Sequence, residues 1–190
     1  MDAFSLAERM KALSPRTEEE ASILSLTFGA VYATALAEKC GYNVRKSNGG
    51  KNLVKEMASF IGTMGCDRVG PFDPHTPEEK VWLAGFYFDD ALMRTDIAFE
   101  WIARYVVGIP SNERRRYDKK KLSKKAQQCN VPQASLDSWQ AISDEIDVFE
   151  HHNQFAQDRM DDDSFIKALE NLIITLEWYF ANCAASGKLL

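Results

Sequence analysis

Two adjacent histidines, His151 and His152, close a run that also holds Glu145, Asp147 and Glu150. An imidazole among carboxylates is held toward its protonated form, which makes it a proton donor near neutral pH rather than a nucleophile. General acid–base work asks for such a group within hydrogen-bond reach of a substrate. His151, His152, Glu145 and Asp147 are therefore the candidate catalytic set. The competing reading is two histidines at a fraying helix end, with Asn153 as the C-terminal cap. Asp147 and His151 stand four apart and could share one ion. No Glu-x-x-His pair occurs, however, and three histidines cannot furnish a di-metal bundle centre, so neither metal nor cofactor is expected.

The second chemical cluster is basic: Arg114, Arg115, Arg116, Lys119, Lys120, Lys121, Lys124 and Lys125, with Tyr117 interleaved. Residues 113–125 carry net +6 and residues 144–163 carry net −7, so the charge is polarised along the chain. Such a basic run suits either the phosphates of a nucleic acid or an acidic protein surface. The whole chain carries −5, so everything outside the basic run carries −11 and repels polyanions. That balance favours a protein surface, the acidic segment of a second copy included, over nucleic acid. A homodimer is the expected assembly.

Two further groups carry less. Gly49-Gly50-Lys51-Asn52 departs from the phosphate-loop pattern at Arg45 and Asn52, and no strand precedes it. Asp90 falls between Leu83, Ile97 and Trp101 on a helical projection, where an apolar residue belongs, with Arg94 four residues on. An ion pair between the two is the expected solution, and an acid facing the bundle interior is the alternative.

These residues must be positioned by helices, because period-2 alternation is nearly absent and helix signals recur. Thr17-Glu18-Glu19-Glu20 is a capping box opening an apolar run that stops at Gly41. Thr76-Pro77-Glu78-Glu79 combines an N-cap, a first-turn proline and an acid at the third helical position, and it launches a helix over about 76–107. Plotted at 100° per residue, Phe88, Leu92, Phe99, Ile102 and Val106 form one apolar face of that helix. Leu83, Phe86, Met93, Ile97 and Trp101 form a second, nearly opposite one, so the helix is expected at the centre, between neighbours. Residues 41–75 hold six of the ten glycines and read as loop, with one short helix near 51–60. Ser135 is the expected cap of the next helix, and Asp161-Asp162-Asp163 opens the last, striped by Phe165, Leu169, Leu172, Ile173, Leu176 and Phe180. The fold class that follows is all-α: a single-domain antiparallel helical bundle with a long central helix and an additional N-terminal helical segment over residues 1–70.

No apolar run reaches the roughly 18–20 residues of a membrane span, and Met1-Asp2-Ala3-Phe4 lacks the basic and apolar regions of a secretory signal. Cys40, Cys66, Cys129 and Cys183 are scattered, with no Cys-x-x-Cys pair, which points to reduced thiols. No membrane partner and a cytoplasmic location are the expectation.

Residues 76–185 resemble the HEPN-type helical bundles. The family pairs a helix carrying a Glu-[Val/Ile]-Asn-x-x-Lys-His-like element with a polar loop and a closing apolar helix. Here the element reads Glu145-Ile146-Asp147-Val148-Phe149-Glu150-His151, the closing helix contains Phe165-Ile166-Lys167-Ala168-Leu169, and Phe88-Asp89-Asp90-Ala91-Leu92-Met93-Arg94 is similar to the long first helix. Asp147 replaces the asparagine and Glu150 the lysine. The family's nucleases use an arginine four to six residues before a histidine, and neither His151 nor His152 has one there. The resemblance therefore implies the non-enzymatic branch: interaction or regulatory proteins, some belonging to toxin–antitoxin or phage-defence systems. The alternative is an RNA-directed nuclease or nucleotide-processing enzyme working through His151 and His152.

Overall fold

The computed structural model describes residues 3–39, 77–110, 113, 118–147, 160 and 162–183. Within them the chain forms six helices and no sheet: α1 (Ala3–Met10), α2 (Glu18–Lys39), α3 (Pro77–Val106), α4 (Lys119–Gln128), α5 (Gln133–Asp147) and α6 (Asp162–Asn182). The architecture is an antiparallel helical bundle with α3 as its long central helix. The glycine-rich segment 41–75 and its short helix near 51–60 lie outside the described residues.

Local chemistry sets the helix ends. Thr17 Oγ1 accepts from the Glu20 backbone N–H at 3.2 Å, which is the forward half of the capping box. The return half is shifted by one residue: the Glu20 carboxylate accepts from the Arg16 N–H at 2.6 Å. α3 stops in a Schellman turn, where Gly108 takes φ 75° while its N–H donates to Tyr105 and that of Ile109 to Arg104, both at 2.9 Å. α4 ends the same way, with Asn130 at φ 63° in the glycine's role, Val131 bonded back to Ala126, and Pro132 stopping the helix. Ser135 does not cap α5. The helix starts two residues earlier, and Ser135 is buried inside it with its hydroxyl on the Asn171 carbonyl at 3.3 Å.

Four helices alternate in direction around two stacked apolar clusters. At one end Phe88, Ala91 and Leu92 of α3 meet Ala30 and Ala33 of α2, Ile142 and Ile146 of α5, and Phe165, Leu169 and Ile173 of α6, with Leu6 and Met10 of α1 packed in. Phe88 and Phe165 meet edge to face with ring centroids 4.9 Å apart. At the other end Phe99, Ile102 and Val106 meet Ile23, Trp139, Leu172, Leu176 and Tyr179, and α4 joins through Leu122 and Ala126. Across the α2–α3 contact the residues are small, and Thr27, Thr34 and Thr95 bury their hydroxyls on the carbonyls four residues back in their own helices. Arg94 lies over Gly29, where an added methyl group would come within 2.8 Å of its Nη1 and the flexible side chain would have to shift.

Two expectations shift in detail. The second apolar face of α3 is not enclosed over its described part: Met93 is 40% exposed, and Ile97 and Trp101 are half-buried. By length and composition, Glu18–Ala37 is apolar enough to cross a membrane. That corrects the expectation that no apolar run is long enough: Ser22, Ser25, Thr27 and Thr34 interrupt this one without charging it. Less than half of that stretch is buried within the bundle.

Candidate functional site

Of the four candidate catalytic residues, Glu145 and Asp147 lie on the last turn of α5, while His151 and His152 lie outside the described residues. Two residues along a helix point some 200° apart, and the pair divides accordingly. Asp147 is exposed, whereas Glu145 is buried, with its Oε2 accepting from the Met160 backbone N–H at 2.9 Å. Glu145 thus fastens the chain ahead of α6 to the end of α5. Among the described residues no group of three or more His, Cys, Asp and Glu side chains comes together to hold a metal.

The basic run divides as well. Arg114, Arg115 and Arg116 lie outside the described residues, and the five lysines fall on α4. Asp118 is its N-cap, accepting from the Lys121 N–H at 3.1 Å. Leu122 and Ala126 anchor one face in the core, so Lys120, Lys121, Lys124 and Lys125 form an exposed cationic face on a helix of ten residues. Lys119 turns inward instead. Its ammonium donates to Asp96 Oδ2 at 2.7 Å and to Ser143 Oγ at 3.0 Å. The other Asp96 oxygen accepts from the Trp139 indole N–H at 3.0 Å. This network joins α3, α4 and α5 and fixes where the lysine face points.

A second polar cluster ties the start of α2 to the end of α6. The Arg16 guanidinium donates to Glu20 Oε1 at 2.7 Å and to the Cys183 carbonyl at 2.9 Å, placing a cation on the C-terminal carbonyls of α6. It also lies 5.1 Å from the centroid of the Phe180 ring. The Tyr179 hydroxyl donates to Glu20 Oε1 at 3.2 Å. Burial pushes the Glu20 carboxyl up, but hydrogen bonds from the Arg16 side chain and backbone, with its positive charge and the Tyr179 hydroxyl, hold it below the usual range. Tyr179 is pushed well above the ordinary phenol value, first by burial and then by the Glu20 charge.

Asp90 and Arg94 form the expected ion pair, at 2.7 Å and on the surface, with side chains 37% and 40% exposed. The residues not singled out from sequence are Glu20, Asp96, Trp139, Ser143 and Tyr179 in their polar roles. A spacing signal was there: Asp96 follows Leu92 by four and precedes Phe99 by three, which is core spacing for a carboxylate. Ser143 follows Trp139 by four in the same way.

Comparison with protein-family models, with curated proteins and with solved structures finds no match to this chain.

Proposed function

We propose that this chain is a non-enzymatic interaction protein of the cytoplasm that presents the lysine face of α4 to an acidic protein partner. The carrying observation is the placement of charge on α4. Its first turn holds Lys119, Lys120 and Lys121 and no acid. Cations at a helix N-terminus oppose the macrodipole, a cost of about 0.3–1 kcal/mol each at exposed positions. Lys119 recovers it through Asp96, and Lys121 in part through the N-cap Asp118 at 3.9 Å, whereas Lys120 stands exposed and makes no ion pair among the described residues. Departures from a local rule are expected at functional or strained sites. Among the described residues the buried carboxylates are committed to internal partners: Glu20 to Arg16 and Tyr179, Asp96 to Lys119 and Trp139, and Glu145 to the backbone of Met160. The reading agrees with the branch of HEPN-like bundles that lacks the nuclease arginine, the regulators and defence-associated modules.

Fluorescence anisotropy with labelled polyglutamate, against labelled mixed-sequence RNA, tests it. The wild type is expected to bind polyglutamate more tightly than RNA. Changing Lys120, Lys121, Lys124 and Lys125 together to glutamine should weaken that binding by about tenfold or more at low salt. Tighter RNA binding that the same variant loses, or any RNA cleavage, would overturn the proposal.

A further inference from the structure

The helix beside the lysine face carries the complementary charge. The exposed positions of α4 hold Lys120, Lys121, Lys124 and Lys125 and otherwise only glutamine. Those of α5 hold Asp137, Asp144 and Asp147 and otherwise only glutamine and alanine. α4 contains no acid and α5 no base. Asp137 falls outside the acidic segment counted along the sequence, so the acidic face is assembled by helix periodicity and not by a charge run.

Both helices break the same electrostatic rule, and at neighbouring ends. A helix favours acids at its start and bases at its end. α4 starts on Lys119, Lys120 and Lys121, and α5 ends on Asp144, Glu145, Ile146 and Asp147 with no base in its last turn. Glu145 is spent on the Met160 backbone, but Asp144 and Asp147 are exposed. The Lys119–Ser143 and Gln127–Gln133 hydrogen bonds, at 3.0 and 2.7 Å, hold the two helices side by side and antiparallel. Lys124 is thereby level with Asp137, and Lys120 lies within a helical turn of Asp144. Even so, among the described residues no exposed lysine of α4 forms an ion pair with a carboxylate of α5. Lys121 reaches its own N-cap Asp118, while Asp137 and Asp144 accept from Gln133 and Gln140 of their own helix.

We infer, building on the α4 reading, that the acidic partner is a second copy of this chain, with α4 of each copy lying on α5 of the other across a two-fold axis that follows the groove between them. The occupant follows from the pattern of charge. A strip of four lysines beside a strip of three aspartates repels, over half its width, any partner of a single sign, nucleic acid included. A partner that suits both strips presents acid opposite α4 and base opposite α5. Rotation of the chain about that axis does so, and it brings Lys124 of each copy level with Asp137 of the other. An isologous contact requires that self-complementarity of a surface. The wrong-sign charges at the two helix ends are then neutralised between copies. Pairs of exposed charges are screened by salt, so the association is reversible and belongs to low ionic strength.

Sedimentation velocity on the full chain over a micromolar concentration series, at low and high salt, is the test. The wild type is expected to be a reversible dimer at low salt and a monomer at high salt. Reversing α4 (Lys120→Glu/Lys124→Glu) or α5 (Asp137→Lys/Asp144→Lys) should raise the dissociation constant by about tenfold or more. Mixing the two variants should restore a dimer to within about threefold of the wild-type affinity, because each reversed strip then faces its opposite. Circular dichroism checks the helices of each variant. Should a reversed variant fail to fold, Lys124→Gln and Asp137→Asn take its place, each expected to weaken the dimer by about threefold. A wild type that stays monomeric at low salt overturns the inference, and it leaves the proposed function standing where polyglutamate binding still needs the α4 lysines. A dimer that persists in both reversed variants, or a mixture of them that does not reassociate, overturns it too. Polyglutamate binding indifferent to those lysines removes instead the α4 reading itself.

Discussion

Replacing Glu20 by alanine is expected to destabilise the fold by about 2–4 kcal/mol, lowering the melting temperature by roughly 5–15 °C. The carboxylate is 1% exposed and collects the Arg16 guanidinium, the Arg16 backbone N–H and the Tyr179 hydroxyl. Removing it strands a phenol that has no route to water and unties α2 from α6. The partly exposed Arg16 recovers some hydration, which keeps the loss below that of a fully buried pair. The sign of the pH dependence follows from the directions of the two shifts. The Glu20 carboxyl is held below its ordinary value, so its contribution is complete above roughly pH 4.3 and is lost as pH falls through the lower folded value. Tyr179 is pushed above the ordinary phenol value, so its contribution is complete below about pH 10 and erodes as pH rises toward the folded value. Thermal melts of wild type and Glu20→Gln between pH 3 and 7 check the first limb. The variant should lose the acid-side slope that the Glu20 carboxylate supplies, and an unchanged slope would place that titration elsewhere.

Trp139→Ala is expected to cost about 3–5 kcal/mol, the range for deleting a large buried aromatic side chain. The indole is 2% exposed at the junction of α3, α4 and α5, and its N–H satisfies one oxygen of the nearly buried Asp96. Trp139→Phe keeps most of the apolar volume and removes that donor, so its cost of about 1–2 kcal/mol isolates the hydrogen bond. Combining Trp139→Phe with Asp96→Leu should give less than the sum of the two single losses, because each removes the same contact. Urea unfolding of the four proteins measures the coupling, and strict additivity would show that Trp139 acts by packing alone.

The helices were legible in the sequence because their signals are local. The Thr17 box, Pro77 after Thr76, and Gly108 before Pro110 mark ends that the backbone then takes. Ser135 misled for an equally local reason: a serine ahead of an apolar run looks like a cap until Gln133 and Ala134 extend the helix and Asn171 claims its hydroxyl. The polar clusters were not legible as clusters, since Glu20 with Tyr179 and Asp96 with Trp139 are long-range pairings. A carboxylate at core spacing announces only that some partner must exist. Charge counts along the chain misjudged the surface for the same reason: Lys119 counts as basic and Glu145 as acidic, yet both are spent internally.

On the proposed function, α4 carries Lys120 against its own dipole for a partner. Measuring both stability and polyglutamate affinity of Lys120→Glu tests it most directly, since the two readouts should move in opposite senses. An acid in the first turn of α4 is expected to raise the melting temperature by about 1–3 °C while weakening polyglutamate binding by about fivefold or more. A melting temperature that falls, or an affinity that does not change, would overturn the proposed function.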